Sequence, residues 1–262
     1  MENKYIPSRK KARDEIKAVF VKRIRKEAKA NQQLKVKFYA TIFNVIFGTE
    51  APIITPYGTF QMIPAKVEGG KWGRHYFLFY PDLETLIKRE KILLRIDSGC
   101  FSGMVLGDIT CDCLEQLRIS QKACVASGGG IVIEIPGQDG RGWGSDKKMA
   151  TQRLMHDLDI TTAEAARVFH GSDKLTDIRT YDECAIILKA FGFSKKHCFE
   201  MATNNPKKIE GFKEMGMRVD CAKSVTVPHP NNILKRNLES KEKFWKHDFN
   251  HNKLKLKGGK KI

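Results

Sequence analysis

Charge is segregated along this chain, and the segregation decides which part of it can pack. Residues 1–37 hold 13 Lys/Arg against 4 acids and residues 235–262 hold 10 against 3. A formal charge of +17 over 262 residues therefore leaves only +1 for residues 38–234. An evenly basic chain would point to nucleic acid or an acidic surface. Here the middle is nearly neutral, and a 41% hydrophobic content supplies a real core. The pattern predicts a basic helical extension over 1–49, one globular domain over 50–234, and a basic tail over 235–262. The tail loses its apolar periodicity among Lys and Asn and is expected to fray.

In Ser8–Asn31, the spacing of Ile16, Val19, Phe20 and Ile24 predicts a basic amphipathic helix. Such a helix can pack on the body of the protein, reach a partner subunit, or bind RNA or phosphate weakly; without interleaved aromatics it is a poor nucleic-acid signature. From residue 50 onward Gly58–Val67, His75–Tyr80, Lys91–Ile96, Ile131–Ile135 and His197–Ala202 read as strands. Leu114–Ala126, Lys147–Leu158, Tyr181–Phe191 and Pro206–Met215 read as helices. Strands first and alternation later predict an α/β (α+β) domain, a mixed β-sheet flanked by helices. Seven cysteines with no apolar segment after Met1 do not read as a secreted disulfide framework, and no run approaches the roughly 18 apolar residues of a membrane span. A soluble, cytoplasmic protein with reduced thiols is expected.

The sharpest local signal is Cys100-x10-Cys111-Asp112-Cys113. A Cys-x-Cys pair can place two thiolates on one metal, and a cysteine ten residues upstream can supply a third from a loop. Three thiolates without a local fourth ligand describe a catalytic zinc with an open position; a distant His156 or His170 would instead close a structural site; reduced cysteines without metal are the third reading. Cys124, Cys184, Cys198 and Cys221 sit in helix or strand patterns and read as core.

Two loops could hold anions. In Pro136-Gly-Gln-Asp-Gly-Arg-Gly-Trp-Gly, the glycines let the backbone approach a ligand and Arg141 offers a bidentate donor, although a simple flexible turn has the same composition. In Thr203-Asn-Asn-Pro-Lys-Lys, Asn205 is placed to cap and Pro206 to start a helix whose free N–H groups, with Lys207 and Lys208, would suit phosphate. The alternative there is a well-capped surface helix. Asp177-Ile-Arg179 precedes a further helix, where the pair could share a cleft or simply cap an entrance.

Taken in order, these fragments resemble the GTP cyclohydrolase II family from about Ala51-Pro-Ile-Ile-Thr-Pro-Tyr-Gly to Pro228-His-Pro-Asn-Asn. The resemblance implies a zinc hydrolase that opens the imidazole ring of GTP, releases the ring carbon as formate and cleaves off pyrophosphate. By the same resemblance Cys100, Cys111 and Cys113 would ligate zinc; Arg95, Ser98, Gln116, Asp139, Gly140, Arg141, Thr161, Thr203 and Lys208 would bind the nucleotide. Asp177 would be the proton acceptor and Arg179 the group assigned as nucleophile, although a guanidinium is better suited to stabilising phosphate charge. The family also implies Mg2+ with the triphosphate and a homodimer.

Three positions depart from the family pattern. Arg-x-His-Ser-Glu reads Arg95-Ile96-Asp97-Ser98-Gly99, Glu-Gly-Arg reads Asp139-Gly140-Arg141, and the tyrosine on the helix after the glycine loop aligns with Gln152. An amide cannot titrate as a phenol does, which predicts ring opening with little loss of the formyl group. A paralogue acting on another purine or pyrimidine ring outside riboflavin synthesis, and a catalytically silent homologue binding nucleotide or RNA through basic tails, are the alternative readings.

Overall fold

The computed structural model describes residues 18–26, 32–38, 40–172 and 177–249. Its centre is a nine-stranded mixed sheet of order β1-β2-β4-β5-β7-β6-β8-β9, with β3 paired to β4 outside that path. The strands are β1 Gln32–Phe38, β2 Thr41–Phe47, β3 Ala51–Thr55, β4 Gly58–Val67, β5 His75–Tyr80, β6 Lys91–Asp97, β7 Gly130–Glu134, β8 Cys198–Ala202 and β9 Arg218–Lys223. Pairing is antiparallel from β1 to β7 and parallel across β7, β6, β8 and β9. The two halves differ in side-chain pattern as burial requires: β5 alternates buried and half-buried residues, whereas β6 is buried at every position after Lys91.

Helices cover both faces of the parallel half. On one side α7 (Asp182–Ala190) packs Cys184 to Leu188 against Phe77, Phe79, Ile92, Leu94 and Ile133, joined by Phe199 and by Phe212 of α8 (Pro206–Glu214). On the other, α4 (Cys113–Ala126) sets Ala123 and Cys124 against Leu93, Val132 and Ala202. The remaining helices are α1 (the described residues 18–26), α2 (Leu83–Ile87), α3 (Phe101–Met104), α5 (Ser145–Leu158), α6 (Thr162–His170) and α9 (Asn232–Trp245).

The expected mixed sheet and its helices are present, with two corrections at the ends. Within the stretch assigned to a basic helical extension, residues 32–38 and 41–47 pair as the strands β1 and β2 and extend the sheet through Val45–Phe47 against Ala65–Val67. Residues 235–249, expected to fray, are largely the helix α9, capped by the Asn231 side chain on the Leu234 N–H. In α1, Val19 and Phe20 are exposed and Ile24 is half-buried; Ile16 and the rest of Ser8–Asn31 outside 18–26 lie outside the described residues. Cys124, Cys184 and Cys198 are buried as expected, while the Cys221 side chain lies outside what is described.

Candidate active site

Because β6, β7 and β8 run parallel, the three loops that leave their C-terminal ends open on one edge, where ligands of parallel sheets are held. β6 delivers Ser98 and Cys100, β7 delivers the turn Pro136–Gly142, and β8 delivers Thr203–Asn205. One pocket receives all three, and α5 and α9 wall its other sides through Lys148, Gln152, Lys241 and Trp245.

The three cysteines meet in that pocket. Their sulfur atoms lie within 4.8 Å of one another, with Cys100 Sγ 3.4 Å from Cys111 Sγ and the latter 3.1 Å from Cys113 Sγ. A zinc ion about 2.3 Å from each sulfur would hold tetrahedral donors about 3.8 Å apart, so the thiols need move only slightly to grip it. The donor set fits zinc, and neither His156, which is largely exposed, nor His170 joins the group. Hydrogen bonds from Cys111 and Cys113, followed by Lys148 with its Nζ 2.7 Å from the sulfur, hold the Cys100 thiol far below its ordinary range, while Cys111, beside that thiolate, is pushed up to about 12. A lone thiolate flanked by two thiols is the arrangement a dication converts to three thiolates.

Cations line the rest of the pocket. Arg95 donates 2.8 Å to Asp97, 2.7 Å to Gln116 and 3.2 Å to the Ala202 carbonyl. Gln116 in turn donates to Asp112, which pairs with Lys241 at 2.9 Å. Asp139 pairs with Lys148 at 3.3 Å and accepts the Phe101 N–H, tying the glycine loop to the start of α3. Arg141 adopts φ +60 and donates 2.7 Å to Thr162 Oγ1. Lys208, buried, donates 2.7 Å to the Ile96 carbonyl; burial and then the charges of Arg95 and Arg179 push it down to about 7. The expected helix start at Asn205-Pro206 is present, with Asn205 Oδ1 accepting the Lys207 N–H at 3.0 Å.

Asp177 and Arg179 form a largely buried pair at 2.6 Å, and Arg179 also reaches Ser98 Oγ at 3.2 Å. Burial alone would raise the Asp177 carboxyl, but the Arg179 charge and its hydrogen bonds overcome it and pull the value down to about 2. Arg179 lines the pocket.

Every expected ligand, nucleotide and catalytic residue thus gathers in or beside one pocket except Thr161. Its hydroxyl caps α6 in a reciprocal box with Glu164, and the residue lining the pocket is its neighbour Thr162. Sequence reasoning missed Lys148, Thr162, Asn204, Asn237, Lys241, Trp245 and His247, all of which line the pocket. It also missed why Gly99 departs from the family pattern. Gly99 has φ +60, and a Cβ there would stand 2.4 Å from Pro136 Cα, so any side chain at this position must displace the backbone. Gln152 donates to Asp108, which also accepts from Ser102 and Thr110 in the loop between the cysteines.

The parallel edge of the mixed sheet thus brings three thiols together in a pocket lined by Arg and Lys, a candidate metal-binding site rich in cations. Comparison with known proteins makes this specific. The GTP cyclohydrolase II family profile matches residues 47–224, and the chain belongs to that family. It is 34% identical to the GTP cyclohydrolase-2 of Shewanella baltica over 63% of this chain and 75% of that one. It is 29% identical to the riboflavin biosynthesis protein RibBA of Phocaeicola vulgatus over 79% of this chain and 48% of that protein, and 34% identical to the RibBA of Thermotoga maritima over 65% and 40%. The chain therefore matches about half or less of the RibBA proteins' length. Among the described residues no helix is long and apolar enough to cross a membrane.

Proposed function

We propose that this chain hydrolyses GTP at the imidazole ring and releases pyrophosphate, giving a 2,5-diamino-6-ribosylamino-pyrimidinone 5′-phosphate or its formamide. The observation that carries the reading is the convergence of Cys100, Cys111 and Cys113 in the same pocket as Arg95, Arg141, Arg179 and Lys208. Cys100, Cys111 and Cys113 would hold zinc, which when bound supplies Lewis-acid activation of water for attack on the imidazole carbon. The chain's own groups do the rest. Arg95, Arg141 and Lys208 bind and orient the phosphates and neutralise their charge. Ser98, Gln116, Asp139, Gly140 and Thr203 shape the nucleotide site, with Thr162 in the place first given to Thr161.

Arg179, held by Asp177 in the free protein, turns to the α-phosphate, where it stabilises charge during pyrophosphate loss. That turn frees the Asp177 carboxylate from its partner and restores its strength as a proton acceptor. The three carboxylates lining the pocket, Asp97, Asp112 and Asp139, are each paired with a cation, which leaves Mg2+ to enter with the triphosphate rather than on the protein. The homodimer and the cytoplasmic location are further proposals from family membership and from reduced, buried cysteines; light scattering tests the first.

The test is direct. Zinc-loaded protein given GTP and Mg2+ should release pyrophosphate and a ring-opened product visible by mass spectrometry. Cys111→Ser should lose zinc and turnover together. Retained turnover in that variant, or turnover only of another purine or pyrimidine nucleotide, overturns the assignment.

A further inference from the structure

The helix α9 lies beyond the residues that match the family, yet it forms a wall of the pocket. Besides buried Leu234, it is fastened there by polar and ring contacts. Asn237, 3% exposed, accepts the Thr162 N–H at 3.1 Å and donates 3.2 Å to the Thr110 carbonyl in the metal loop. One turn on, Lys241 pairs with Asp112, and one turn further the ring of Trp245 lies 4.0 Å from the Arg141 guanidinium carbon.

Arg141 is the residue most in need of such support. It is non-glycine with φ +60, it is half-buried, and desolvation followed by the nearby Arg179 charge pushes its guanidinium down to about 10. Only two described contacts fix the guanidinium: the hydrogen bond to Thr162 Oγ1 and the Trp245 face. Both lead to α9, directly through Trp245 and indirectly through Asn237, which holds Thr162. Lysine could not replace this arrangement, because a planar guanidinium can stack on an indole while its edge stays free to donate.

We propose that Trp245 is a positioning residue of the nucleotide site: by stacking on Arg141 it fixes the guanidinium for an anionic group of the nucleotide, so that α9 sets substrate affinity without touching the reacting atoms. The inference rests on the nucleotide-hydrolase reading given above. A partly desolvated cation–π contact between these two half-buried side chains sets the size of the effect, on the order of tenfold in affinity.

The experiment is a double-mutant cycle over Trp245→Ala and Arg141→Ala. It is read as the dissociation constant of guanosine 5′-(α,β-methylene)triphosphate, in which the bond broken on pyrophosphate loss is replaced by a methylene bridge, with zinc content and melting temperature measured for each protein. In the Arg141 background, Trp245→Ala should weaken binding roughly tenfold with zinc retained; Trp245→Phe, which keeps a π face, should stay within about threefold; and in the Arg141→Ala background Trp245→Ala should add nothing. If Trp245→Ala does not fold, Trp245→Leu takes its place, since it keeps apolar bulk and removes the π face. Equal weakening in both backgrounds, or none in either, overturns the proposal. Wild-type turnover of GTP is measured alongside. A wild type that binds the analogue without releasing pyrophosphate from GTP sinks the activity and leaves the pairing standing, whereas turnover with an additive cycle sinks the pairing alone.

Discussion

Lys241 Nζ, on the C-terminal helix, sits 2.9 Å from Oδ1 of Asp112, the carboxylate between Cys111 and Cys113. Only 18% and 4% of the two side chains are exposed, so water can replace little of what each partner provides. Stranding a buried charge costs about 3–5 kcal/mol, which for a chain of this size is on the order of 10 °C in melting temperature. Lys241→Met should show that loss together with reduced zinc occupancy. Asp112→Asn added to it should recover much of the stability, because the amide carries no charge. Calorimetry of the three proteins decides it, and a Lys241→Met that melts with the wild type would remove the ion pair from the account.

A second expectation concerns the family's glutamate at position 99. With φ +60 and Pro136 Cα and the Ile135 carbonyl at 2.4 and 2.8 Å from any Cβ, Gly99→Glu must move the backbone that carries Cys100. The left-handed conformation alone costs roughly 1–2 kcal/mol for a side chain, before the clash is counted. The variant should melt several degrees lower and bind zinc less completely, as thermal scans and metal analysis would register. Full stability and full zinc would mean that this loop adapts more freely than its packing implies.

These two positions also mark where the sequence could and could not be read. Strands β4 to β8 announced themselves by alternation or by continuous apolar runs, and the anion loops by Gly, Arg and Asn-Pro. The hairpin β1–β2 did not, because β1 is an edge strand whose Lys35 and Lys37 are exposed, and such charges read as part of a basic extension. Helix α9 was hidden for a different reason. Besides Leu234 it buries Asn237 and Ser240, and Lys241 reaches inward to Asp112, so no apolar stripe reveals its inner face. At Thr161 and Thr162 a capping threonine and a pocket-lining threonine are adjacent, and only the backbone direction at the start of α6 separates them. The Gly99 departure became intelligible only once Pro136 was seen against it, a contact across 37 positions that local pattern cannot carry.

Lys208 gives a pH signature. Its ammonium, at an ordinary 10.5 in the unfolded chain, is pushed down to about 7 by burial and by Arg95 and Arg179. In the free protein it is therefore mostly charged at pH 6 and mostly neutral at pH 8. A triphosphate favours the charged form, so above pH 7 binding must take up a proton, and affinity falls as pH rises. Between pH 7 and 8 the loss should be roughly fivefold. Calorimetric titrations in buffers of different ionisation heat should reveal proton uptake near pH 8. Lys208→Met should bind more weakly and lose that component of the pH dependence; an unchanged profile would remove Lys208 from phosphate binding.

Gln152 bears on which product leaves. It lines the pocket from α5 and is tied to Asp108, in the loop between the cysteines, where the family pattern has tyrosine. Loss of the formyl group from the opened ring needs a proton relayed to the departing nitrogen, and a primary amide does not titrate in the range where a phenol can serve. Formate should therefore appear in well below one equivalent per pyrophosphate, with the formamide as the main product by mass. Gln152→Tyr should raise formate towards parity while leaving the pyrophosphate yield similar, since the phosphate-binding cations are untouched. Formate and pyrophosphate measured on the same samples are enough: equal yields from the wild type would show that deformylation proceeds without a phenol here, and an unaltered ratio in Gln152→Tyr would place the missing proton donor elsewhere.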